Sequence, residues 1–327
     1  MLRSMYSGIS GLKVNQTKLD VIGNNIANVG TTAFKNQRIR FQDVLSQNLK
    51  FGTGASANVG GTNPSQVGLG VEVAGIDTMV SQGNMQPTGR NLDFAVDGDG
   101  YFVVARGKAE EMVTVPDKSG KGTIKGEPTI NYTRDGSFAL DDQGQLLTSD
   151  GYRVLGYLPT GATATYSTGD TPSTLEVKKD TTTVKTELQP LLIPDEVKVG
   201  NETMKIKNFS VDKNGTINAV LASNEVVVIG QIAMASFKNP AGLTKEGKNM
   251  YSTSASSGEA LYRNGAGVKD SNEKAYGDII QGRLEMSNVD LAEQFTEMIV
   301  ASRAFQANGK IITTGDEILQ DLVNLKR

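Results

Sequence analysis

The chain has 327 residues, 21% of them charged, and a formal net charge of −3. It contains no cysteine, no histidine and no tryptophan, which excludes disulfides, thiol nucleophiles, thiolate metal sites and imidazole acid–base catalysis. So balanced a charge gives no ground for bulk binding to nucleic acid or to an anionic membrane.

The first thirty residues predict an amphipathic helix. Leu2, Met5, Ile9, Leu12, Leu19 and Ile26 fall on an alternating three-four spacing, with Gln16 and Gly23 in the remaining seam positions. Lys13, Lys18 and Asp20 interrupt the apolar core that a cleaved signal peptide needs. No window approaches the ~20 apolar residues of a membrane span. The reading is a chain that stays in the cytoplasm or leaves it without a cleaved signal.

The helix runs into "GNNIANVGTTAFK", residues 23–35, where Asn24, Asn25 and Asn28 stand close together. Asn is a mediocre helix former whose carboxamide competes for backbone hydrogen bonds. Asn24 and Asn28, at i and i+4, share a face and suit bonds to backbone or side chains across closely packed helices. A simple Asn-rich C-cap is the alternative.

Residues 31–70 are expected to be an extended linker, glycine-rich from residue 51 onward. From Val71 the pattern turns to short β-type runs such as "VEVAGI", "LDFAVDGDGYFVVA" and "VVVIGQIAMASF". Asp-Gly, Gln-Gly and Asn-Gly turns join several of them, a strong hairpin signal. This predicts a discontinuous β domain from 71–156 and 201–285. The Thr- and Ser-rich segment 157–200 is expected to be a small outer β insertion.

Residues 286–327 return to helical spacing. Leu291, Phe295, Met298, Phe305, Ile312, Leu319 and Val323 mark the stripe, with Ser302, Gly309 and Asp316 at the interruptions. Residues 1–40 carry net +5 and residues 285–327 net −3. Two imperfect heptad helices of opposite charge suit pairing with each other or with copies, in a coiled-coil-like inner domain of 1–30 and 286–327. The fold class predicted is mainly β with α-helical termini.

Candidate chemistry is thin. "DGDGYF" begins like a calcium loop, but Phe102 stands where that loop requires glycine, so a tight turn into strand "YFVVA" is the reading. "GLGVEVAG" lacks the third glycine and the following helix of a dinucleotide loop. Asp141 and Asp142 sit in a hairpin turn, where solvation explains them. No catalytic, cofactor or metal site is predicted, and the chain reads as not an enzyme.

The combination "MLRSMYSGISGL…GNNIANVGTTAFK" resembles the opening signature of the bacterial flagellar rod and hook axial proteins, "NNIANxxTxGFK". Ala33 stands where that signature carries glycine, which bears on local backbone geometry. The stretch "SNVDLAEQFTEMIVASRAFQANGKIITTGDEILQDLVNLKR" resembles the closing signature, with Ser302 in place of glutamine and Gly309 in place of serine. Internal blocks "TGRNLDFAVDGDGYFVV", "YTRDGSFALDDQGQLLTSDGYRVLGY" and "GQIAMASFKNPAGLTKEGKNMYSTSASSGEA" agree as well, while 106–128 and 157–200 agree least.

The resemblance implies a structural subunit of the flagellum, exported uncleaved by the flagellar export apparatus and polymerising with itself. Its terminal helices would line the inner tube. Because 157–200 looks like an outer insertion, the expectation is a hook subunit: a flexible curved tube that carries torque from rod to filament like a universal joint. The distal rod subunit is the alternative. The family implies the rod protein, the hook cap protein and the hook–filament junction protein as partners, without nucleic acid or membrane insertion. A β-rich binding or adhesion module with dimerising helical ends is the alternative of another class. An enzyme acting on cell-wall polymer would need a carboxylate site that the sequence does not supply.

Overall fold

A computed structural model describes residues 2–54, 60–107, 113–114, 123–124, 129–166, 173–177, 184–200, 202–262 and 277–325. Met1, most of 106–128, and 167–172 and 178–183 within 157–200 lie outside the described residues. The chain is mainly β with one long helix at each end, as the periodicity predicts. It divides into two units, Met1–Gly30 with Lys35–Met79 and Val289–Arg327, and Thr31–Phe34 with Val80–Asn288.

In the first unit, helix α1 (Leu2–Ala27) and helix α2 (Leu291–Asn324) pair with each other. Asp290 caps α2: its carboxylate accepts from the backbone N–H of Ala292 at 2.8 Å and of Glu293 at 3.3 Å, and Glu293 adds negative charge to the first turn. The unit also holds a long antiparallel ribbon. Strand β1 (Gln37–Asp43) pairs with β4 (Val71–Thr78), and β2 (Ser46–Lys50) with β3 (Ser65–Gly68). Beyond them Thr53 and Thr62 form one further bridge.

The expected linker 31–70 is thus largely a hairpin, and Val71–Thr78 belongs to that hairpin rather than to the β domain. Glycines and exposed residues hid the ribbon, because a strand pair without a buried face carries no strong apolar alternation.

In the second unit, strand β5 (Met85–Pro87) pairs with Arg283–Glu285, and strand β6 (Phe94–Asp97) with Asp278–Gln281. The Asp97–Gly100 turn leads from β6 into β7 (Tyr101–Arg106). β7 is central: it pairs with Thr129–Thr133, Arg153–Pro159 and Met234–Ser236. Its residues Tyr101 to Ala105 are all buried, hence the continuous apolar run "YFVVA". Phe102 and Val104 enter one apolar cluster, and Tyr101, Val103 and Ala105 enter another on the opposite face.

The Gln143-Gly144 and Asn214-Gly215 pairs turn hairpins, with φ of 75° and 77° at the glycines. Asp135-Gly136 does not join two paired strands; Gly136 instead offers its carbonyl to the N–H of Phe94 at 3.0 Å.

Segment 157–200 differs from the expected outer insertion. Strand Val184–Pro190 pairs with Arg153–Pro159, and Leu158, Leu175, Leu191, Leu192 and Val197 are buried in the same cluster as Phe102 and Val104. Threonines dominate its composition, but its few leucines and valines are the residues that turn inward. The described residues of the segment contribute to the core.

Candidate functional site

The paired helices are the element on which the sequence places function. They run antiparallel: Met5 lies against Gly315, Gly8 against Ile312, Gly11 against Asn308, and Lys18 against Glu297. A methyl group added at Gly11 would sit 2.7 Å from the Asn308 amide nitrogen, so the absence of a side chain there permits the close approach. The Lys18 Nζ to Glu297 Oε2 distance is 3.4 Å, and it puts the opposite terminal charges to use. With both side chains partly exposed, the pair contributes no more than about 1 kcal/mol.

The seam is rotated from the predicted one. On α2 the row facing α1 is Gln294, Ala301, Asn308 and Gly315, at strict seven-residue spacing, flanked by the half-buried Met298, Ile312 and Leu319. On α1 the buried residues are Gly8, Gly11, Val14, Val21, Ile22 and Asn25. Met5, Leu12, Leu19 and Ile26 are half-buried, whereas Ile9 is exposed. On α2, Leu291, Phe295, Phe305 and Val323 face outward, Phe295 at 50% and Val323 at 67% exposure. Ile299, Val300, Ile311, Ile318 and Leu322 extend this exposed apolar surface. The side chain of Leu2 lies outside the described residues.

The three asparagines divide their work. Asn28 Nδ2 donates to the Asn24 carbonyl at 2.9 Å and to Asn24 Oδ1 at 3.0 Å, the local cap. Asn25 is buried and fully bonded. Its Nδ2 donates to the Gln37 carbonyl at 2.8 Å and to Gln294 Oε1 at 3.0 Å, while its Oδ1 accepts the Gln37 N–H at 3.0 Å. Both donors and the acceptor of one carboxamide thus join the end of α1, the start of β1 and the first turn of α2. Sequence reasoning listed Asn25 but gave the bridging role to its neighbours. It missed Gln294, Asn308 and the small residues, although their seven-residue repeat was readable.

Among the described residues no group of three or more Asp or Glu side chains is placed to hold a metal ion. Asp141 and Asp142 are exposed, on the rim of an open groove of about 600 Å³. Among the described residues no helix is long and apolar enough to cross a membrane.

Three family models match the chain in order: "Flagella basal body rod protein" over residues 5–35, "Flagellar hook protein FlgE/F/G D1 domain" over 122–219, and "Flagellar basal body rod FlgEFG protein C-terminal" over 280–325. The chain is 43% identical over 327 residues to the flagellar basal-body rod protein FlgG of Bacillus subtilis, covering all of both chains. Similarity to the protein of the same name in Borreliella burgdorferi is 33% over 330 residues, again with complete coverage of both. The flagellar hook protein FlgE of that organism is 29% identical in an alignment of 465 residues that spans both chains entirely. The terminal models fall on the two helices and their caps, the elements just described. The chain therefore belongs to the bacterial flagellar rod/hook axial protein family, whose members are structural proteins and not enzymes.

Proposed function

We propose that the chain is a rod-type axial subunit that assembles with copies of itself into a tube through its terminal helices. The observation that carries the rod reading is length. The rod relative aligns over 327 residues with complete coverage of both chains, whereas the hook relatives need alignments of 465 and 469 residues. The described residues of segment 157–200, the basis for expecting a hook subunit, pair with the β unit's strands and are buried in its core. The hook reading keeps the support of the D1 family model and of full coverage at 28–29% identity.

Assembly through the helices is favoured by the exposed apolar face of α2. A monomeric protein rarely leaves such a surface uncovered, and its extent along a helix suits other helices of the same kind. Neighbouring subunits would cover Phe295, Ile299 and Val323. Export without a cleaved signal, and contact with the next axial proteins along the structure, follow from the same reading.

Deleting the gene and imaging purified basal bodies separates the possibilities. Rods left unfinished are expected; complete rods lacking only hooks would restore the hook reading. Electron microscopy of the concentrated protein separates both from an adhesion module, which would give discrete dimers in place of tubes.

A further inference from the structure

Three segments of the β unit continue covalently into the helical unit: 31–34, 80–84 and 283–288. All three are tied together inside the β unit. The Ala33 N–H donates to the Glu285 carbonyl at 2.8 Å, and the Met286 N–H to the Asn84 carbonyl at 2.9 Å. Asn288 Nδ2 donates to the Ser81 hydroxyl at 3.0 Å. The Glu285 carboxylate accepts from the Gly83 N–H at 3.0 Å through Oε1. Its Oε2 meets Arg134 Nε at 3.0 Å, with both side chains almost wholly buried. Arg134 Nη2 in turn donates to the carbonyls of Val96 and Gly98, in β6 and the turn into β7. The Tyr101 ring lies 5.7 Å from its guanidinium carbon.

Two further features make this place unusual. Among the described residues, four non-glycine residues have positive φ, and three of them meet here: Ala33 at 55°, Lys248 at 54° and Asn249 at 58°. Asn249 Nδ2 donates to the Thr32 carbonyl at 3.1 Å, so the two strained turns are joined. Such residues are retained where the surroundings over-determine them. A buried ion pair is likewise a poor choice for stability alone, since apolar side chains of similar volume commonly do as well or better. What this buried pair adds is a fixed position among the groups that its other atoms bond, Gly83 on one side and Val96 and Gly98 on the other.

We propose that Glu285 and Arg134 form a clamp that makes the three outgoing segments move as one and passes load from them into strands β6 and β7. Its purpose rests on the axial-subunit reading, but its existence can be read in the free monomer. Force arriving along 31–34, 80–84 or 283–288 is shared by the other two, because each ends on Glu285 or on a residue bonded beside it.

The test is hydrogen exchange by mass spectrometry on the full-length monomer of Glu285→Gln. This variant keeps the shape and an acceptor but leaves Arg134 uncompensated. Exchange at the Ala33, Gly83 and Met286 amides should rise together, at least tenfold, while strand amides such as Val103 and Ile229 stay protected. A rise confined to Gly83, or a uniform rise over the whole core, would overturn the clamp. Arg134→Lys, which keeps the charge but loses the fork to Val96 and Gly98, should raise the same three amides by a smaller factor. It decides the matter alone if Glu285→Gln does not fold. Neither readout depends on polymerisation, so failure of the clamp is distinct from failure of the axial reading.

Discussion

The helical unit and the β unit differ in where their largest apolar side chains lie. In the β unit the large apolar side chains close inward: Phe94, Phe102 and Phe138 stack edge to face or tilted at 5.2–5.9 Å, all nearly inaccessible. In the helical unit glycine, alanine, asparagine and glutamine are buried beside Val14, Val21 and Ile22, with Met5 and Ile312 at the helix contacts, while Phe295, Ile299 and Val323 turn outward. A side chain's position in its own subunit therefore reports different things in the two units. Burial in the β unit is the end of the matter, whereas exposure on α2 is, in the proposed reading, a surface for other copies.

The sharpest way to break this contrast is to empty the β core. Phe102→Ala removes a ring from a fully buried site and is expected to destabilise the β unit by about 3–5 kcal/mol, read by urea unfolding. A loss under about 1 kcal/mol would mean that the unit is not closed in the way described.

Asn25→Ala tests the polar seam. It leaves the Gln37 backbone and the Gln294 amide without their shared partner and is expected to cost about 1–3 kcal/mol. The loss should appear in the assembled protein, as reduced helicity in far-ultraviolet circular dichroism and a higher concentration needed for polymerisation. Asn24→Ala and Asn28→Ala, which act on an exposed cap, should change it little.

Ile299→Lys reverses the balance between stability and assembly. Ile299 is 62% exposed, so thermal stability of the monomer should shift by no more than about 0.5 kcal/mol, yet sedimentation of concentrated protein should show no polymer. Wild-type polymerisation in that variant would remove the outer face from the account.

The smallest effect is electrostatic. Burial pushes the Asp135 carboxyl above its ordinary value, against the opposing hydrogen bonds from Ser137, Thr32 and Asn249. Its folded-state pKa then exceeds its unfolded one, so the contribution to stability is fully present below the unfolded value and is lost as pH rises through the folded one. Asp135→Asn should flatten that fall in melting temperature across mildly acidic pH. An unchanged slope would assign it to other groups.

Period and turn chemistry made much of the molecule legible. The three-four spacing gave both helices, Gln143-Gly144 and Asn214-Gly215 gave their hairpins, and the unbroken "YFVVA" gave a central strand. The rotation of the helix seam was not legible in the same way, because large apolar residues mark the buried face of a helix in a self-contained protein. Here the largest ones are withheld from the partner helix, and the row Gln294, Ala301, Asn308, Gly315 takes their place. Ala33 was readable as a departure from the family signature, but only the structure gives its φ of 55°. The Arg134–Glu285 pair joins residues far apart in sequence, and no local pattern announces it.

If the outer face of the helices belongs to neighbouring copies, the helix pair is incomplete in a lone subunit. Fixing its backbone costs about 1–2 kcal/mol per residue, which a seam of small and polar residues, at about 25 cal/mol per Å² of apolar area, offsets poorly. Ordering of the helices and polymerisation then become one event. Hydrogen exchange on dilute monomer and on assembled tubes measures this directly. Fast exchange across Leu2–Ala27 and Leu291–Asn324 in the monomer, with protection in the tube and a β unit protected in both, is the result expected. Strong protection of both helices in a verified monomer would show them to be ordinary domain core and would contradict the account.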